Sequence, residues 1–171
     1  MARGYVHVYT GNGKGKTTAA LGLSLRAVCA GKKVFFGQFI KGMPYSELKA
    51  VEYLPGFEIK QFGNDCFIYR DPSERDVELA KDGLAELGRI IKSGNYDMVV
   101  MDEVNIAIYF KLFKVEDVIE ILSGRPQKTE VVLTGRYAPD ELVDYADLVT
   151  EMKEIKHYYK QGVEARTGIE K

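Results

Sequence analysis

The chain has 171 residues, 46% hydrophobic and 29% charged and without Trp, a composition that fits one globular domain, 1–171, with a real core. Its net charge of −1 gives no reason to expect nucleic acid as a partner, and no apolar run approaches the roughly 20 residues needed to cross a bilayer. Cys29 and Cys66 lack metal-type spacing and predict reduced thiols in a cytoplasmic protein.

Charge is unevenly placed. Residues 1–46 hold seven Lys or Arg and no acid, whereas the 17 basic and 25 acidic residues that follow leave the remainder at −8. A positive N-terminal part suits an anionic ligand such as a polyphosphate; a run of solvated surface lysines is the plainer alternative.

Residues 4–10 alternate and are rich in Val and Tyr, which predicts a strand entering a glycine-rich turn. Residues 16–30 have helix composition, stopped by Gly31, and 34–40 form a second strand closed by Lys41-Gly42. A short helix over 46–54 ends at Pro55-Gly56, a strand covers 57–62, and 63–72 reads as a loop. Ser73 caps a helix whose apolar residues Val77, Ala80, Leu84, Leu87 and Ile91 recur at steps of three and four. The continuous apolar run 98–101 predicts a central parallel strand covered on both faces. A helix over 115–122, a buried strand over 131–134, a short helix over 140–146, a last strand over 148–152 and a polar tail complete the chain. Alternating strands and helices predict an α/β fold, a mainly parallel sheet with helices on both faces. In such folds ligands sit at the carboxyl ends of the strands.

Three motifs fall at those ends. The first is Gly11-Asn12-Gly13-Lys14-Gly15-Lys16-Thr17-Thr18, a phosphate-binding P-loop between strand and helix. Its glycines let backbone amides close around phosphate oxygens, Lys16 brings a mobile cation, and the Thr17 hydroxyl can hold a metal. The helix directs its positive N-terminus at the same anion. Thr10 stands where the usual pattern has Gly, and Lys14 adds a second cation. The second motif, Asp102-Glu103, closes the strand over 98–101, where a carboxylate can hold Mg²⁺ directly or through water opposite Thr17. Two roles are open to Glu103, metal ligand or a group that orients water. The third is Thr134-Gly135-Arg136, where Arg136 can reach the phosphates and stabilise charge on a leaving group. Together they predict a RecA-like P-loop enzyme that binds ATP with Mg²⁺.

The chain resembles the ATP:corrinoid adenosyltransferases of the BtuR/CobO/CobP type from Val6 to Glu170. The likeness rests on Thr10-Gly-Asn-Gly-Lys-Gly-Lys-Thr-Thr-Ala-Ala20, Gln38-Phe-Ile-Lys-Gly42 and Tyr96-Asp-Met-Val-Val-Met-Asp-Glu103. It continues through Arg125-Pro126, Val132-Leu-Thr-Gly-Arg136, Ala146-Asp-Leu-Val-Thr-Glu-Met152, Lys156-His157 and the final Gly168-Ile169-Glu170. The resemblance implies transfer of the 5′-deoxyadenosyl group of ATP to the cobalt of a reduced corrinoid, with release of triphosphate. It further implies a homodimer and a flavoprotein reductase that makes cobalt(I). Phe67 then matches the first of an aromatic pair that crowds the lower face of the cobalt, and Tyr69 stands where Trp is expected; core packing under a loop is the alternative for both. Tyr158 replaces an expected Pro, Lys171 an expected aromatic, and an N-terminal extension common among relatives is expected to be missing. His157 is either a contact to substrate or partner subunit or a structural histidine. Two other functions stay open: an ATPase or kinase that makes ADP, and a nucleotide sensor without turnover.

Overall fold

The computed structural model describes residues 3–64 and 71–171. Six strands, β1 (Val6–Thr10), β2 (Val34–Phe39), β3 (Phe57–Phe62), β4 (Met98–Asp102), β5 (Glu130–Thr134) and β6 (Leu148–Glu151), form one sheet in the order β3-β2-β4-β5-β1-β6. Every pairing is parallel, so the expected mainly parallel sheet is wholly so. The helices are α1 (Lys16–Cys29), α2 (Glu74–Ser93), α3 (Val104–Tyr109), α4 (Val115–Ser123) and α5 (Asp140–Tyr145).

Strand alternation divides the core in two. Phe35, Phe39, Val99, Met101, Val131 and Leu133 face the side that carries Leu84, Leu87 and Ile91 of α2 and Val118 and Leu122 of α4. Val34, Phe36, Val100 and Val132 face Ala20 and Ala27 of α1. Burial on both faces is why the central strands read as unbroken apolar runs.

Ser73 caps α2 as expected: its hydroxyl accepts the Asp76 N–H, and the Asp76 carboxylate accepts the Ser73 N–H at 2.9 Å. Three details differ from the sequence reading. Residues 46–52 form a 3₁₀ helix, because the short link from β2 to β3 has no side-chain cap and ends within a few residues of Pro55. α3 is absent from the predicted elements because its six residues, Val-Asn-Ile-Ala-Ile-Tyr, show no 3.6-residue period. The tail carries a second 3₁₀ turn, Tyr158–Gln161. Among the described residues no helix is long and apolar enough to cross a membrane.

Candidate active site

The glycine-rich turn leaves β1 at Thr10 and delivers the chain to Lys16, the first residue of α1. Gly11 and Gly15 take φ of 96° and 120°, a region that favours residues without a Cβ. Gly13 answers a packing demand. A Cβ there would lie 2.7 Å from the carbonyl oxygen of Met152 and 2.8 Å from that of Lys153. The Gly13 N–H donates to the same Met152 carbonyl at 2.7 Å, so the segment after β6 clamps the loop. Thr10 uses its hydroxyl to accept the Ala138 N–H at 3.3 Å, which ties the loop to the turn after β5.

Lys16 is 7% exposed, and its ammonium donates to the carbonyls of Gly11 and Gly13, both at 2.7 Å. Burial pulls it below its ordinary pKa; Glu103 and Asp102 oppose that pull and Arg136 adds to it. Thr17 lines the same cleft and donates its hydroxyl hydrogen to Oδ1 of Asp102 at 2.8 Å.

Asp102 is fully buried and heavily satisfied. Oδ1 also accepts the Thr134 hydroxyl at 2.6 Å, while Oδ2 accepts Lys41 Nζ at 2.8 Å and Gln38 Nε2 at 3.2 Å. Four donors occupy the accepting positions of one carboxylate. Burial by itself would lower the Lys41 ammonium, yet Asp102, Glu103 and Glu47 together hold it above its ordinary value. Next in the chain, Glu103 has a φ of 60° and its carboxyl lines the cleft. Burial and the charge of Asp102 push that carboxyl upward, against Lys41, Lys16 and Arg136.

Among the described non-glycine residues with positive φ, Ile40 and Glu103 follow directly on β2 and β4, and Tyr137 lies three residues past the end of β5. Left-handed backbone costs a side-chain-bearing residue on the order of 1–3 kcal/mol. Its concentration along one end of the sheet marks the place where the fold serves the site more than its own stability.

These ends enclose a cleft of about 680 Å³. Lys14, Lys16, Thr17, Thr18, Glu103 and Arg136, all expected from the sequence, line it together. Gly11 and Asn12 lie outside that lining, and Phe67 and Tyr69 fall outside the described residues. Lys14 is engaged by the tail: it donates to the Ile169 carbonyl at 3.0 Å and stands 3.6 Å from Glu170. Sequence reading assigned no role to Lys41, Glu47, Ile106 or Phe110, which the structure adds to the wall. The available signal was Gln38-Phe-Ile-Lys-Gly42 at the end of the acid-free stretch. The polar tail, whose Gly168-Ile169-Glu170 belongs to the likeness but carries no role in the sequence reading, lines the cleft with Gly168, Ile169, Glu170 and Lys171, and Ser46 donates its hydroxyl hydrogen to the Lys171 backbone oxygen at 2.9 Å. His157 lines the cleft too, with Nδ1 accepting the Tyr159 N–H at 3.1 Å.

The match to known proteins covers almost all of this architecture. Residues 2–170 fit the family described as ATP:corrinoid adenosyltransferase BtuR/CobO/CobP. The chain is similar to the corrinoid adenosyltransferase of Escherichia coli K12, 36% identical over 169 residues that span 98% of this chain and 86% of that protein. It is similar to the corrinoid adenosyltransferase CobA of Salmonella typhimurium, at 37% identity with the same two coverages. A Sinorhizobium corrinoid adenosyltransferase is 36% identical over 179 residues, 98% of this chain and 80% of its own length. With the P-loop, the Asp102 network and Arg136 gathered on one cleft, the chain belongs to the ATP:corrinoid adenosyltransferase family, enzymes that transfer an adenosyl group from ATP to a corrinoid.

Proposed function

We propose that the cleft binds ATP with Mg²⁺ and presents C5′ of its ribose to the cobalt(I) of a reduced corrinoid. The cobalt electron pair attacks C5′, the C5′–O bond breaks, and its electrons leave on triphosphate. A Co–C bond forms and cobalt becomes formally cobalt(III). The attacking atom carries no proton, so the protein's task is alignment of C5′ and stabilisation of the departing charge.

The observation that carries this reading is the placement of Lys16 and Arg136 on the cleft that the P-loop opens into. Two cations beside the N-terminus of α1 suit a polyphosphate whose charge grows as it leaves. Lys14 lines the same wall and adds a third, shared with Glu170.

The residues also fit Mg²⁺, a hard cation that takes oxygen ligands. Thr17 gives its hydrogen to Asp102, which keeps the Thr17 oxygen as an acceptor for a cation. Asp102 already receives four donors, so it acts through Thr17 and through water, and the neighbouring Glu103 lines the cleft directly. When bound, Mg²⁺ neutralises part of the triphosphate charge.

In this account Phe67 and Tyr69 crowd the lower face of the cobalt, a flavoprotein reductase supplies cobalt(I), and the chain works as a homodimer. The exposed Cys29 thiol suits the reducing cytoplasm. Phosphorus NMR of the reaction products tests the reading. Inorganic triphosphate is the expected product; ADP with phosphate or a phosphorylated acceptor would assign the site to hydrolysis or kinase chemistry instead.

A further inference from the structure

Tyr109 closes α3 and Tyr137 follows Arg136 in the turn after β5. Their rings meet at 4.4 Å between centroids, with planes tilted by 32°. Both remain half exposed, 55% and 50%, so the pair leaves a broad aromatic surface in solvent. Tyr109 also stands edge-on to Phe110 at 5.6 Å, and Phe110 lines the cleft. One aromatic surface therefore runs from the inner wall to the rim.

Tyr137 occupies its place against the preference of its backbone. Its φ of 59° lies in the left-handed region, where a bulky side chain is rare and Gly fits without strain. Strained residues with exposed rings beside a binding cleft mark function more often than packing.

Size points to what the surface meets. A cleft of about 680 Å³ suits one ligand the size of a nucleotide. The second substrate is a wide, flat, conjugated ring with an amide-bearing edge, and it has to lie beside the ribose with much of its face beyond the cleft. We propose that Tyr109 and Tyr137 form a stacking platform at the rim that positions the corrin ring of the acceptor. Ring faces supply apolar contact to the macrocycle, and the two hydroxyls can meet its peripheral amides. This inference rests on the adenosyl-transfer reading above and extends it to the residues that select the acceptor.

Cob(II)alamin titrated into the full chain saturated with ATP and Mg²⁺, followed in the visible spectrum, tests the platform directly. Tyr137→Gly suits the local backbone and keeps the fold; Tyr109→Ala removes the other ring. Each is expected to weaken cob(II)alamin binding about tenfold while ATP affinity stays at the wild-type value. Tyr109→Phe and Tyr137→Phe keep the faces and are expected to stay within about threefold of wild type. Wild-type binding with no change in Tyr137→Gly or Tyr109→Ala overturns the platform and leaves the transfer reading intact. A wild-type protein that binds no corrinoid overturns both.

Discussion

The hydroxyl of Thr17 lies 2.8 Å from Oδ1 of Asp102, 85 positions away in the chain, and it donates to a carboxylate that receives three further donors. The contact joins the P-loop to the end of β4, and Lys41 joins the same carboxylate to the end of β2. The phosphate loop is therefore held by a buried charge cluster as well as by its own glycines.

Asp102→Ala should unfold far more easily than wild type. Lys41 is 12% exposed at its side chain and would lose its nearest counter-ion, leaving only the longer 3.9 Å contact to Glu47 among the described ion pairs. Removing one partner of a buried pair costs roughly 3–5 kcal/mol. Urea unfolding should show a loss of that order, and Lys41→Met in the same chain should restore part of it. A loss below about 1 kcal/mol, in the range of an exposed pair, would mean that the cluster contributes little.

Lys16→Ala should separate binding from folding. Among the described residues the ammonium bonds to carbonyls of its own loop, Gly11 and Gly13. ATP affinity should fall by on the order of a hundredfold or more, with the unfolding midpoint close to wild type. Unchanged affinity in a calorimetric titration would remove the P-loop assignment.

Much of the site could be read from the chain because its parts are local. The P-loop is eight consecutive residues, and Asp102-Glu103 and Arg136 each end a recognisable buried run. Lys41 is different. Its meaning depends on the register that sets Gln38 beside Asp102 in the parallel pairing of β2 with β4, and no local pattern specifies that register. Of the seven early cations only Lys14, Lys16 and Lys41 reach the cleft among the described residues, so the basic stretch is part cleft wall and part ordinary surface. The tail was harder still. Its fold depends on Tyr158 and Arg166 both bonding Glu170, and on contacts to Lys14 and Ser46 more than a hundred residues away.

Gly13→Ala should loosen that tail. The new methyl would meet the backbone of Met152 and Lys153 at 2.7–2.9 Å, where no flexible side chain can give way. Overpacking of this kind costs about 1–3 kcal/mol. Limited proteolysis should cut residues 153–171 faster than in wild type, and ATP affinity should drop with it. Equal cleavage rates would show that the tail docks independently of the loop.

Tyr96 gives the fold an alkaline limit. Burial, with the hydrogen bond and charge of Glu58, pushes its phenol from 10.0 up to about 12. A raised pKa in the folded chain stabilises the neutral phenol, so the contribution is complete below pH 10 and is lost as pH rises through about 12. The stability advantage of wild type over Tyr96→Phe should therefore close between those two values. An advantage that stays constant across the window would contradict the assigned environment.

The most direct test of the account is anaerobic incubation with ATP, Mg²⁺ and chemically reduced cob(I)alamin, followed in the visible spectrum. A light-sensitive adenosylated product should form with wild type and fail to form with Lys16→Ala. Cob(I)alamin left unalkylated while ADP accumulates would contradict adenosyl transfer as the function of this cleft.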